Sequence, residues 1–448
     1  MTTQNLLVEL FVEELPPKAL KKLGEAFATV LADQLKAQGL TAADAAVTAY
    51  ASPRRLAAHV TAVSAKAADK AVRQKLMPVA VGLTADGAAS PALLKKLQAL
   101  GADVSDPAAV VARLQRAPDG KAEALFYESQ VAGATLAAGL QKALDEAIAK
   151  LPIPKVMQYQ LETDCELPGW SSVHFVRPAH ALVALHGADV VPVSALGLKA
   201  GRDTQGHRFE AAVSPVVLAD ADSYAATLAR DGAVIASFAE RRAEIVRQLA
   251  AAAAQVGGGC RPIEDDALLD EVTALVERPN VLTCQFEPEF LAVPQECLIL
   301  TMKANQKYFP LLKEGKLSNK FLVVSNINPA DPSAVISGNE RVVRPRLADA
   351  KFFFDQDRKK TLESRVAGLA KVVYHNKLGT QGERSERVRQ IAHAIVNQLR
   401  LATLPFTVDD KDHLDLLDTK VQQAARLAKT DLLTDMVGEF PELQGIMG

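Results

Sequence analysis

Four cysteines, one tryptophan and an aromatic share of 5% in 448 residues leave this chain poor in the side chains that staple or stack. Cys165, Cys260, Cys284 and Cys297 stand far apart with no CxxC pair, which argues against a zinc ribbon or a disulfide framework and fits a reducing compartment. No segment approaches the ~18–20 consecutive apolar residues of a membrane span. The N-terminus, MTTQNLLVELFVEELPPK, places acidic residues where a secretory leader needs cations. Excess charge of one sign is lacking too. The formal net charge is −2, so any nucleic-acid contact must come from a local patch and not from the field of the whole molecule. A phosphate loop is missing: Gly257-Gly258-Gly259 follows a helical pattern without the GxxxxGK[ST] frame, and reads as a helix C-cap and linker. His174, His180 and His186 recur every six residues, which on a strand sets successive ones ~20 Å apart, too far to share a metal ion. These absences predict a soluble, cytoplasmic chain without its own cofactor or metal.

What is present suffices for several cores. Hydrophobic residues make up 49% and charged residues 23%, and the length suggests roughly three domains. The pattern is α+β. Leu6 to Val12 reads as a buried strand, and Pro16-Pro17 opens a helix to about Ala37. Glu13 and Glu14 sit before that start, where the helix dipole favours anions. Ser52-Pro53-Arg54-Arg55 is a turn leading into a strand up to Val63. Its paired arginines can meet a phosphate or simply be solvated. Lys66 to Lys150 is alanine-rich, with a helix near 91–100, a strand near 124–131, a helix over 134–150, and turns at Asp86-Gly87 and Asp119-Gly120. Strand-rich sequence follows over 173–185, then a turn-rich loop GRDTQGHRF at 201–209, then helices predicted over 232–255 and 265–277.

The stretch from Pro294 to Lys360 holds the most varied pattern. Apolar Leu298, Ile299 and Met302 predict a helix, and a hairpin follows with its turn at Glu314-Gly315-Lys316. From Arg341 to Lys360 seven Lys/Arg face three Asp, beside the consecutive Phe352, Phe353 and Phe354. Rings beside cations serve RNA, because bases stack while cations meet phosphates; they equally make a core stripe with a solvated basic face. Helices are predicted over 362–375, 382–399, 412–429 and from Leu432. The chain stays apolar to its end, FPELQGIMG, as if cut inside a domain.

Nine phrases in order carry a resemblance: EELP at 13–16, SPRRL at 52–56, FVRP at 175–178, GHRF at 206–209, VPQE at 293–296, NQKYF at 305–309, GNERVVRPRLADA at 338–350, YHNKLG at 374–379 and TDLLTDMV at 430–437. With them the chain closely resembles the beta subunits of bacterial heterotetrameric glycyl-tRNA synthetases, cut before their anticodon-binding domain. Phe11, Ala181 and Arg278 depart from that family's usual residues, as surface drift would. The resemblance implies an α+β multidomain fold. An α/β module like the editing-type fold of the phenylalanyl-tRNA synthetase beta chain would cover 1–65 and 151–340, interrupted by an alanine-rich subdomain at 66–150. An all-helical HD-like domain would occupy 341–448.

It also implies a division of labour. An alpha subunit, in an assembly of two alpha and two beta chains, uses ATP and Mg to activate glycine, while this chain binds and positions tRNA-Gly without a catalytic site. Glu340-Arg341 lacks the spaced glycines and second arginine motif of a class II adenylate site. The HD-like part offers His375 as an early ligand but Thr430-Asp431 where a His-Asp doublet is needed, and threonine does not replace imidazole at a divalent cation. That leaves a scaffold, with phosphohydrolase activity the alternative. Editing has little to remove by size when the amino acid is glycine. The expected RNA-binding or subunit-interface residues are Arg344 and Arg346, flanking a Pro345 predicted to start a helix whose dipole attracts phosphate, with Lys351, Lys303 and Lys307 extending the patch and Arg54 and Arg55 as a looser candidate.

Overall fold

The computed structural model describes residues 2–119, 122–163, 165–402 and 407–447, so the Asp119-Gly120 turn lies partly outside the described residues. The chain divides into two compact units, Met1–Arg241 and Arg242–Gly448. No described helix is long and apolar enough to cross a membrane.

The first unit is organised on β1 (Thr3–Val12), buried continuously from Leu6. It lies inside a seven-stranded sheet, antiparallel both to β3 (Arg55–Ser64) and to the strand Ala179–His186. A strand covered on both faces explains an apolar run without alternation. Helix α1 (Pro17–Ala37) starts at its proline pair as expected and buries Leu20, Leu23, Phe27 and Leu31. At Gly24 a Cβ would sit 2.6 Å from Ala51 Cβ on β2 (Val47–Ser52), so the approach of helix to strand requires glycine there. On the opposite face Leu7 joins a core with Ala57, Leu185, Tyr224 and Leu228. The period of two therefore sends Glu9 and Phe11 to that same face.

Residues 70–131 form a three-stranded antiparallel sheet, in the order Lys70–Pro78, Ala122–Val131, Gln115–Asp119, over a small core of Leu76, Leu93, Leu97, Val110 and Leu125. The strand expected over 173–185 is two strands, Ser172–Phe175 and Ala179–His186, because Val176-Arg177-Pro178 breaks the ladder and each half pairs elsewhere. The helix expected from 232 begins at Phe238. Arg241 is fully buried; its guanidinium donates to the carbonyls of Ala51, at 2.8 Å, and Ile235, at 2.6 Å, and so ties down the irregular segment before the helix.

The second unit carries a four-stranded antiparallel sheet, Arg261–Pro262, Phe309–Lys313, Lys316–Ser325 and Asn280–Gln285 in that order. The hairpin turn falls at Glu314-Gly315, both left-handed at φ 49° and 78°, which suits a two-residue loop. Gly257, Gly258 and Gly259 are left-handed as well and end the preceding helix at Val256. One sheet face packs Ile245, Leu249, Leu268 and Val272 against Phe309 and Leu322. The other packs Phe321 and Val323 against Leu298, Met302, Val343 and Leu347. Within this second core burial pushes the thiols of Cys284 and Cys297 up to about 12 and about 11, which makes them inert.

Three expectations in this unit need correction. Pro345 does not start a helix: it lies inside the 25-residue helix Ser333–Asp357. The apolar spacing Val343, Leu347, Ala350 runs through it, and the proline is on the exposed side, away from that buried stripe. Phe352 is 57% exposed, and only Phe353 and Phe354 reach the core. The region expected to be wholly helical carries a small hairpin, Val373–His375 with Gly379–Thr380, so the helix predicted to reach 375 ends early, as one short turn at Leu362–Arg365 and a 3-10 segment to Lys371. Beyond it the helices Gln381–Ala402 and Val408–Leu427 meet along a polar seam of His393 with Asp418, at 2.8 Å, and Arg389 with Gln422, at 2.6 Å, while Val388, Ile391 and Ile395 stay exposed.

Candidate functional site

Four of the phrases that carry the resemblance converge in the first unit around one cleft of about 520 Å³. Next to its lining residues is a buried charge cluster. Glu9, at 0% exposure, pairs with the equally buried Arg55 at 3.5 Å and accepts from the hydroxyls of Thr204 and Tyr224. Burial and the neighbouring Glu9 carboxylate hold the Tyr224 phenol well above its usual range, so it stays a donor. Arg54 and Arg55 both lie over the Phe11 ring, at 5.2 and 5.4 Å. Phe11, expected as surface drift, is 5% exposed and forms part of the cleft wall.

The arginine pair then reaches across to the GHRF loop. Arg54 donates to the carbonyl of Gly206 at 2.7 Å, and Arg55 to that of Gln205. The amide of His207 donates to Gly232 O at 2.7 Å, and a Cβ on residue 206 would stand 2.7 Å from Gly232 Cα, so only glycine permits this backbone contact. Clamped in this way, the loop presents three side chains. His207, 2% exposed, accepts the amides of Phe209 and Glu210 on Nδ1, at 3.2 Å each, which leaves the proton on Nε2. That Nε2 is buried without a hydrogen-bond partner, an arrangement that costs about 1–3 kcal/mol unless something fills it. Arg208 pairs with Glu13 at 2.8 Å, and Glu13 also holds His180 at 3.0 Å, so this carboxylate serves the cleft and not the helix dipole. Phe209 stands at the rim, 80% exposed. The FVRP phrase does not line the cleft but braces the chain that does: Pro178 O accepts from the Glu13 amide at 2.9 Å, and Arg177 donates to Glu14 O at 3.0 Å.

Sequence reasoning missed this site because it weighed Arg54 and Arg55 as ligands or as solvated side chains. They are neither. At 6% and 0% exposure they hold other parts of the cleft in place. The signal was available in the phrase GHRF, whose glycine fixes a close backbone approach beside a histidine. The three histidines spaced by six find unlike settings: His174 is exposed, His180 meets Glu13, and His186 meets Val63 O at 2.7 Å.

The expected basic patch of the second unit is dispersed. Lys303 is paired with Asp265, whose carboxyl burial alone would raise but which the Lys303 ammonium and the Leu268 amide hold below its usual range. Lys307 is paired with Glu271 at 3.2 Å. Both are thereby neutralised. Arg344, Arg346 and Lys351 are on the long helix, Arg344 bound to Glu287 at 2.6 Å and Lys351 to Asp355 at 2.6 Å. Arg344 and Arg346, two residues apart, project roughly 200° from one another about its axis. They do not form one patch, and with Pro345 inside the helix no N-terminus adds its dipole. Lys351, seven residues on, returns to the side of Arg344. Of the HD-like positions, His375 is exposed on the small hairpin, while Thr430 and Asp431 are buried and Asp431 accepts the Gly445 amide at 2.6 Å.

Comparison with known proteins places these arrangements. A family model described as glycyl-tRNA synthetase beta subunit matches residues 6–448. The glycine–tRNA ligase beta subunit of Polaromonas naphthalenivorans is 76% identical over 449 residues, and that of Leptothrix cholodnii 77% over 450. That of Dechloromonas aromatica is 70% identical over 453 residues. Each alignment covers 100% of this chain and 61% of the relative, so the chain spans about three-fifths of the length of the curated relatives it matches.

Proposed function

The chain belongs to the glycyl-tRNA synthetase beta-subunit family, and from that premise we propose that it is the RNA-handling subunit of a glycine–tRNA ligase. In this reading it binds and positions tRNA-Gly in the cytoplasm and supports an alpha subunit that activates glycine with ATP and Mg, in an assembly of two alpha and two beta chains. It contributes no cofactor and no adenylate chemistry of its own. The observation that carries the proposal is the family match over residues 6–448. The cations of the helix Ser333–Asp357, Arg344 and Arg346 exposed and Lys351 half-buried, serve RNA or the alpha subunit. The first unit is read as an editing-type α/β module without an editing task, and the helices after residue 341 as an HD-like scaffold.

The test uses the full-length beta chain with purified alpha subunit, glycine, ATP, Mg and tRNA-Gly. Charging is expected only when both chains are present, together with tRNA-Gly binding by the assembly. Glycine-dependent pyrophosphate exchange by the beta chain alone would overturn the division of labour. An assembly that does not retain tRNA-Gly would overturn the RNA role.

A further inference from the structure

We infer that the cleft lined by His207, Arg208 and Phe209 receives one unstacked nucleotide, its base on the Phe209 ring and a phosphate or ribose oxygen on His207 Nε2 and the Arg208 guanidinium. Three observations converge on this chemistry. The Nε2–H of His207, a residue that lines the cleft, is a buried donor that lacks an acceptor. Its Nδ1 is committed to two backbone amides, so the ring cannot turn to satisfy Nε2 without breaking both. Beside it Phe209 exposes 80% of its surface, with its ring 6.2 Å from that of His207. An aromatic face next to a fixed donor and an arginine is how unpaired nucleotides are held, the ring taking the base and the polar groups the backbone. Of the charged lining residues, Arg208 is shared between Glu13, at 2.8 Å, and Glu14, at 3.6 Å, and a phosphate would compete with these carboxylates for its guanidinium.

The nucleotide has two possible sources, a free mononucleotide or an unpaired residue of an RNA; the RNA source rests on the function proposed above, while the free one does not. The experiment uses the full-length chain assembled with its alpha subunit and three probes: AMP, a fluorescein-labelled single-stranded hexa-adenylate, and tRNA-Gly. Phe209→Ala is expected to weaken binding ~5- to 100-fold, Phe209→Trp to keep it within ~2-fold, and His207→Asn to weaken it while thermal unfolding stays near that of the parent. Loss confined to the two RNA probes assigns the cleft to RNA, and loss that includes AMP assigns it to a free nucleotide. If tRNA-Gly binds but no probe responds to Phe209→Ala or His207→Asn, the inference is overturned and the proposed function stands. If the parent assembly binds no tRNA-Gly, the proposed function falls and the AMP arm alone decides the cleft. Phe209→Ala that impairs assembly while leaving every probe unchanged makes the rim a subunit contact and also overturns the inference.

Discussion

Arg54 and Arg55 in the first unit and Arg344 and Arg346 in the second begin as the same motif, two guanidiniums beside a proline, and end in opposite environments. Arg54 lies in the turn after β2 and Arg55 is the first residue of β3, so a tight turn and the ladder beside it fix the two residues. Arg55 sits opposite Phe11 in the β1–β3 register, and its guanidinium closes over Glu9 and the Gln205 carbonyl. The second pair is on a helix, where neighbours two apart diverge, and its charges remain in water. Placement and not residue type decides whether an arginine organises a site or decorates a surface. A buried guanidinium that loses its partners exposes a large desolvation cost, whereas a solvated one gives up little.

The largest effect should come from Arg55→Ala. It strands the Glu9 carboxylate at 0% exposure among Thr204 and Tyr224, a loss of about 3–5 kcal/mol. Chemical denaturation followed by a probe in the first unit measures it; a change below about 1 kcal/mol would show that the pair is not structural and would dissolve the contrast. The second unit has a buried pair of its own as well. Asp357 meets Arg365 at 2.8 Å and accepts the amides of Asp435 and Met436, at 2.9 Å each, fixing the end of the long helix. Asp357→Ala should cost about 2–3 kcal/mol. If it cost nothing while Arg344→Ala unfolded the unit, the helix would be held by its arginines and not by its end. Gly206→Ala comes next at about 1–3 kcal/mol, because its methyl meets Gly232 backbone that cannot yield. Cleft-ligand affinity should drop in step, since the Arg54 clamp holds this carbonyl.

Much of this fold was legible because local chemistry and long-range packing agree. The unbroken run Leu6–Val12, the Pro16-Pro17 start and the Glu314-Gly315 turn each follow from backbone rules that tertiary contacts reinforce. What was not legible depends on partners distant in sequence. Nothing within five residues of Arg55 reveals that Glu9 and Gln205 will meet it. Local rules also misled at Pro345, because the spacing Val343–Leu347–Ala350 binds the helix to a core strongly enough to carry it past a proline on the wet side. Periodicity found the helix at 381–402 yet not its orientation: Val388, Ile391 and Ile395 face out and the polar residues face the neighbouring helix. The cleft was half legible, as four conspicuous phrases whose common purpose only the fold discloses.

The smallest stability effect, and the sharpest test of the contrast, belongs to Arg344→Ala and Arg346→Ala. Each should change stability by no more than about 0.5 kcal/mol, since both side chains are exposed and the Arg344 pair with Glu287 is 57% and 39% open to water. Their worth is in binding. If either meets a tRNA phosphate, its loss weakens affinity and reduces the salt slope by about 1. Because the two point roughly 200° apart, no single phosphate accepts both, and the double variant should lose the sum of the two single losses and no more. A titration of tRNA-Gly binding against salt for the two singles and the double reads this directly. Coupling beyond about 0.5 kcal/mol between them would mean that they act on one partner, which the helix geometry forbids, and the second arginine pair would then be an organised site like the first.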